Sequence, residues 1–425
     1  MTEDFLHFIW KYGLFERAGM ISDSGEEVHV IALGEHNTDA GPDFLNARVK
    51  IGNTTWAGNV EIHLYSSDWT EHGHRSDKAY DNVILHAVHR HDQTVTRSGG
   101  EIIPTIELHF DPSWFENYRM LFNSRGNLPC QSGLKNLDPF LLDLWLNSLV
   151  VERLQQKAVF ISDLLEKYKN NWEEAFYINL ARSFGFGLNA APFEMLARSV
   201  SLLQLSRSRN SILQVEAILM GQAGFLSEAE MFSGYYNELR QEYLHLRKKY
   251  GLKPMEKHLW KFLRLRPVNF PTIRIAQFAA LLEKNEGLLS NILACDKIAG
   301  LWKYFNVQAS QFWNTHYTFE NISPNRIKAI GTDAFRVIVI NAVIPFLFVY
   351  GQRSGNEILK ERSLEWLNQL PAEDNRLVAR WKNAGIKAET AFYSQGLLQM
   401  SKNYCGRKRC LACSIGMNII TGGKC

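Results

Sequence analysis

Between residues 28 and 110 the chain is cut into short runs rich in β-branched and aromatic residues. After residue 138 that texture gives way to apolar residues spaced as on helices. Short β-branched runs bounded by turn formers read as strands, and apolar residues recurring at three and four positions read as helix faces. The runs are 28–33, 44–51, 55–65, 83–89 and 101–110, separated by Gly, Asn, Asp or Ser. A heavily apolar helical start, from Phe5 through Trp10 to Phe15, precedes them, and a polar stretch at 69–81 supplies a loop and short helix between the third and fourth. The expectation is an α/β domain, a sheet with at least one helix on it.

The helical texture opens at Asp138-Pro139, a capping residue followed by proline at the first helical position. Leu142, Trp145, Leu149, Leu154 and Phe160 mark one apolar face, and similar faces recur at 175–184, 193–205, 212–220 and 275–282. Breaks fall at 185–187, 251–254 and 267–271, with no period regular enough for a named repeat. At 425 residues the chain is too long for one ordinary core. We therefore expect an α/β domain over 1–125, a mainly α-helical domain over 126–400 and a cysteine-rich tail over 401–425. Hydrophobic residues at 46% and charged ones at 21% fit a folded protein, while a net charge of +3 decides nothing about partners. The start, Met1-Thr2-Glu3-Asp4, lacks the basic and apolar run of an export signal, so a cytoplasmic location is expected. The longest apolar run, 337–350, is interrupted by Asn341 and Pro345. It falls short of the roughly 20 residues of a membrane helix, so it is read as a buried core helix and no membrane partner is expected.

Chemistry concentrates between residues 36 and 92, which hold seven of the 13 histidines: His36, His63, His72, His74, His86, His89 and His91. The same stretch carries Gly41-Pro42-Asp43-Phe44, Gly58-Asn59-Val60-Glu61-Ile62-His63, Asp68, Asp77 and Asp92. On a strand, Glu61 and His63 project to one face because side chains alternate. With Asp43 on a neighbouring strand, three polar groups converge, and two carboxylates there suit Mg²⁺ or Mn²⁺, hard cations that accept oxygen ligands.

Pro42-Asp43 followed by Glu61-Ile62-His63 resembles the restriction-endonuclease-like nuclease superfamily, whose signature is PD and then (D/E)xK on adjacent strands. The resemblance covers about the first 110 residues, and His63 stands where lysine is usual. It implies that Asp43 and Glu61 hold the metal ion, that His63 orients or deprotonates the attacking water, and that the reaction is phosphodiester hydrolysis in DNA or RNA. The combination GPDF, VEIH, SDW, HGH and the terminal YC…RC..C.IG is also similar to an uncharacterised bacterial family, which lends no activity.

A rival reading starts from His72-Gly73-His74, an HxH pair resembling part of the cupin metal motif but lacking its following glutamate; it implies a histidine-metal enzyme acting on a small molecule. Histidines 86, 89 and 91 also fit ordinary strand or surface roles. Gly185-Phe186-Gly187 lacks the third glycine of a dinucleotide fingerprint and reads as a helix connection. In the tail, Cys405, Cys410 and Cys413 have x4 and x2 spacing, part of a zinc or iron–sulfur site whose fourth ligand is Cys130 or Cys425. Free thiols, including a redox-active CxxC, are the other reading. Finally Arg247, Lys248, Lys249, Lys257, Lys261, Arg264, Arg266 and Arg274, interleaved with Tyr250, Trp260 and Phe262, offer a surface for a phosphate backbone and stacked bases, or simply a solvated helix face. A non-catalytic adaptor, with the helices as binding surface and the cysteines as a clip, is the contrasting function class.

Overall fold

The computed structural model describes residues 1–124, 128–228 and 234–423. They form two compact units, Met1–Trp145 with Met400–Cys425, and Leu146–Gln399. The C-terminal segment therefore belongs to the unit that carries the sheet.

In the first unit, α1 (Glu3–Lys11) is followed by β1 (Val28–Ala32), β2 (Glu35–His36), β3 (Phe44–Ile51) and β4 (Thr54–Tyr65). Then come α2 (Asp68–Glu71), β5 (Val83–Arg90), β6 (Thr105–Glu107), α3 (Pro112–Asn123) and α4 (Pro139–Lys167), within which the unit boundary falls. The expected α/β domain followed by a mainly helical region is what the chain forms. The six-stranded mixed sheet has the order β1-β3-β4-β5-β6, with β2 pairing β3. β1, β3 and β4 are antiparallel, whereas β4–β5 and β5–β6 are parallel. Parallel pairing needs a crossover, and residues 66–82 supply it as α2 and two single 3-10 turns. Burial follows the topology: β3 largely alternates, while β5 is buried from Val83 to Val88, as expected of a strand covered on both faces.

α1 buries Phe5, Leu6, Phe8, Ile9 and Trp10 and packs on β4, with the Trp10 indole donating to the Leu33 carbonyl at 3.0 Å. It ends earlier than the apolar run suggests because Gly13, at φ +63, turns the chain out of the helix. Pairing of β3 with β4 shifts register between Phe44 and Ala47, where Asn46 sits at φ +59, a bulge that sets the angle at which Asp43 enters the strand. Gly58 is required where β4 meets β5: a Cβ there would lie 2.4 Å from Ile84 Cγ2 and 2.6 Å from the Asn82 carbonyl. The run at 101–110 does not form one strand. Its first part pairs back on 95–97, since Ile103 N donates to Val95 O at 3.0 Å and Thr96 bridges Ile102. Pro104, which has no N–H, precedes the three residues that join the sheet.

α4 begins at Pro139 as the sequence indicates, with Asp138 accepting from Phe140 N at 2.9 Å. In the second unit the run at 193–205 is two helices, Ala190–Ser199 and Leu202–Ser206, because Val200 is extended and Ser201 with Gln204 forms a capping box. The apolar run at 337–350 lies in the helix Thr332–Ser354, long and apolar enough by composition to cross a membrane; 72% of its most apolar stretch is buried inside the protein. Its Asn341 is satisfied by donating to Val337 O at 2.8 Å and accepting from Lys157 Nζ at 3.0 Å, so it functions as a core helix.

Glu216, fully buried on the helix Ile212–Gln222, accepts from the Trp313 indole, and burial pushes its carboxyl up to about 7. Its proton is held in the folded state but lost near 4.5 once unfolded, so stability is complete below about pH 4.5 and declines as pH rises towards 7. Glu216→Gln is expected to unfold at higher urea than the parent at pH 8.5, by on the order of 3 kcal/mol, with the difference vanishing near pH 4.5. Urea titrations at the two pH values measure it.

Candidate metal centre

The central strand β4, the start of β3 and the crossover after β4 together build the site. Glu61 and His63 lie two residues apart on β4 and share a face, with Glu61 Oε1 3.7 Å from His63 Nε2. The crossover carries His72 and His74 over that face: His72 Nδ1 is 3.2 Å from His63 Nε2, and His74 Nε2 is 3.3 Å from Glu61 Oε1. The three histidine ligand nitrogens all lie within 4.8 Å of one another. Metal–nitrogen bonds of about 2.0–2.1 Å give donor separations of about 3.3 Å in a tetrahedron, so 3.2 and 3.3 Å are already ligand-edge lengths. The donor set, three imidazoles and a carboxylate, fits a transition-metal ion better than Mg²⁺, which favours oxygen donors.

What holds the crossover down is Trp69. Its ring is fully buried with Val83, Val95 and Ile103, and its indole donates to Thr96 O at 3.1 Å. Gly73, at φ +78, turns the chain between the two histidines, and His74 stacks on Tyr80 with ring centroids 3.8 Å apart. His63 Nδ1 meets His86 Nε2 at 2.8 Å, in the fully buried part of β5. If Nδ1 carries the proton and donates to His86, the Nε2 lone pair of His63 faces His72, His74 and Glu61, the usual arrangement of an imidazole held by an outer partner.

The electrostatics are those of a group able to take a cation. Burial, reinforced by His74 and His72, pushes His63 down to about 3, so it is a neutral donor. Burial likewise holds His86 well below its ordinary value. Glu61 is raised, first by burial and then by the Asp43 charge, against the opposing pull of His74. A buried carboxylate whose charge is disfavoured gains most from a bound cation.

Asp43 is beside this group and tied to it through the backbone: Asp43 N donates to Glu61 Oε2 at 3.1 Å, and Ile62 N donates to Asp43 Oδ2 at 2.9 Å. The same Oδ2 lies 3.2 Å from His7 Nε2 of α1. Burial opposes charging of His7, but the hydrogen bond and charge of Asp43 outweigh it and raise its pKa. His7 is a site residue that sequence reasoning missed. Its signal was a lone polar residue inside the apolar run Phe5 to Trp10.

Other candidates have structural roles. Asp68 accepts from Tyr65 N, Asp77 from Ala79 N, and Asp92 from Ser66 and Ser67. His89 lies at the exposed end of β5, and His91 Nε2 is 3.6 Å from Asp23 Oδ2; neither is among the clustered histidines. In the second unit Lys248, Lys249, Lys257, Lys261, Arg264 and Arg266 are exposed, with Lys257 paired to Glu228 at 3.1 Å. Two members of that proposed surface are corrected. Trp260 is buried with its indole on Ala223 O, and Arg274 is buried against the Phe186 ring, so neither meets a nucleic acid. Cys130, Cys405, Cys410 and Cys413 are all in the first unit as free thiols, and Cys425 lies outside the described residues.

A cavity of about 390 Å³ opens beside the centre, lined by His7, His36 and Lys11 on one side and by Arg407, Lys408 and Arg409 on the other. These last three stand between Cys405 and Cys410 in the sequence.

Fold and site together define a mixed-sheet α/β protein with a histidine–carboxylate cluster on its central strand. The chain belongs to the family described as Protein of unknown function (DUF2851), which matches residues 3–376. No curated protein and no solved structure matches it.

Proposed function

We propose that the protein is a metal-dependent hydrolase of phosphodiester bonds in a nucleic acid. The observation that carries this reading is the convergence of His63, His72, His74 and Glu61 at ligand-edge separations, with Asp43 alongside. The strand order supports the nuclease class: a helix, an antiparallel trio, a crossover and a parallel strand, with Asp43 immediately before β3 and Glu61 on the adjacent β4, follow the resemblance carried by Pro42-Asp43 and Glu61-Ile62-His63. The three imidazoles move the expected ion from Mg²⁺ towards Zn²⁺ or a comparable transition metal, with Mn²⁺ the best match among the hard cations.

A bound ion there would lower the pKa of a water and stabilise charge on a phosphoryl oxygen. The protein's own residues do the rest. His63 and Glu61, on the central strand, would hold the ion, and His86 fixes the His63 ring. His7, whose pKa Asp43 raises and which lines the cavity, would in this reading protonate the leaving oxygen. Lys11, Arg407, Lys408 and Arg409 bring positive charge to the same cavity, suited to a polyanion.

The test is incubation of the full chain with labelled single- and double-stranded DNA and RNA in Mn²⁺, Zn²⁺ or Mg²⁺, beside Glu61→Ala. Cleavage that Glu61→Ala loses supports the reading. Metal binding without cleavage of any of the four would replace it by the small-molecule histidine-metal enzyme. Replacing Arg407, Lys408 and Arg409 together by alanine is expected to weaken nucleic-acid binding and to flatten the dependence of log K on log salt by about 2–3, close to 0.9 per lost phosphate contact. Binding isotherms at several salt concentrations measure that slope.

A further inference from the structure

We propose that Cys130, Cys405, Cys410 and Cys413 form a second metal centre, a four-thiolate site for zinc or an iron–sulfur cluster, that fixes the C-terminal segment to the α/β unit. It stands independently of the hydrolase reading. Cys130 and the three C-terminal cysteines, 275 or more residues apart in sequence, lie in one compact unit; no three of their sulfurs, all among the described residues, gather within the 4.8 Å that the three histidine nitrogens do, so the spacing suits a multi-iron cluster better than a single zinc ion. Cys405 has Cys130, Cys413 and Cys410 as charge neighbours, and Cys130 has Cys413 and Cys410. Cys130 and Cys413 are buried, Cys405 and Cys410 are half-buried, and none is in a disulfide. Burial raises the pKa of all four thiols, so without a metal they are neutral; a thiophilic ion or cluster would take them as thiolates and tie the two distant segments together.

The surroundings are arranged for an anionic sulfur. Cys413 precedes the helix Ser414–Thr421, and the backbone N–H groups of Ile415 and Gly416 point to its sulfur. The indole N–H of Trp145 faces the same sulfur. Donors gathered on a sulfur are what a metal-bound thiolate accepts.

The backbone around the thiols is also packed without slack. A Cβ on Gly416 would stand 2.2 Å from the Cys410 carbonyl, and one on Gly133, three residues after Cys130, 2.6 Å from Ile419 Cδ1. Asn117 Nδ2 on α3 donates to Ile420 O at 3.0 Å, and Lys408 Nζ to Phe122 O at 2.9 Å. The turn between Cys405 and Cys410 bears Arg407, Lys408 and Arg409, so a metal at the cysteines would set where the cavity's positive charge sits.

The experiment is anaerobic purification of the full chain followed by zinc, iron and acid-labile sulfide analysis, with a visible spectrum. Parent, Cys130→Ser, Cys410→Ser and Cys295→Ser are compared, and cysteine alkylation is mapped by peptide before and after metal removal. Either zinc alone, or iron with sulfide and visible absorption, is expected in the parent, retained by Cys295→Ser and lost by more than half in the other two variants. Alkylation at residues 130, 405, 410 and 413 should appear only after metal removal, a readout on parent protein that does not depend on the variants folding. A parent free of zinc and iron, or these four cysteines labelling as readily with metal as without, would overturn the proposal.

Discussion

Replacing His72 and His74 together by alanine is expected to lower transition-metal affinity at the α/β centre by about 100-fold or more. Loss of a mere outer partner of a ligand costs about 10–100-fold, and two donors lost together should exceed that. His72 Nδ1 and His74 Nε2 provide the 3.2 and 3.3 Å edges to His63 and Glu61, and without them His63 and Glu61 remain as two donors 3.7 Å apart. Both histidines lie on the crossover and not in the sheet, so the fold should survive. Titration with Zn²⁺ or Mn²⁺, using protein whose cysteine-bound metal has first been quantified, reads the loss, and circular dichroism checks the fold. Parent-like affinity in the double variant would remove the crossover histidines from the site.

Trp69→Ala is expected to cost about 3–5 kcal/mol of stability, the range for deleting a fully buried tryptophan. The ring has no exposure, packs on Val83, Val95 and Ile103, and its N–H is paired with Thr96 O. Because Trp69 also stacks edge-on to His74 and tilts against His86, with centroids 5.3 and 5.5 Å away, its loss should loosen the metal site before the sheet melts. Denaturant unfolding gives the first effect, and metal affinity below the unfolding midpoint gives the second. Full metal affinity in a destabilised Trp69→Ala would separate the crossover's packing from its function.

Much of this architecture is legible in the sequence, for identifiable reasons. β3 and β5 alternate or saturate in apolar residues as their neighbours require, and Asp138-Pro139 announces α4 through local capping chemistry. Glu61 and His63 were placed together by the two-residue period of a strand, which needs no knowledge of tertiary structure. His72 and His74 looked like the start of a different site because their distance from Glu61 depends on how residues 66–82 fold back over β4. That path is set by Trp69 and by Gly73 at φ +78, not by any periodic pattern. His7 was hidden for the same reason, since only packing of α1 on β4 brings it to Asp43. In the helical region, spacing found the apolar faces but not the caps at Ser201 and Gln204 that divide one run into two. Nor could it tell buried Trp260 and Arg274 from surface residues.

The central claim is that one ion sits among His63, His72, His74 and Glu61, and anomalous diffraction from crystals soaked in Zn²⁺ or Mn²⁺ tests it most directly. The account requires a peak about 2.0–2.2 Å from the three histidine nitrogens and from Glu61 Oε1. A peak held by Asp43 and Glu61 with no imidazole in its shell, or no peak at all on this face of β4 while the cysteines are metallated, would contradict it.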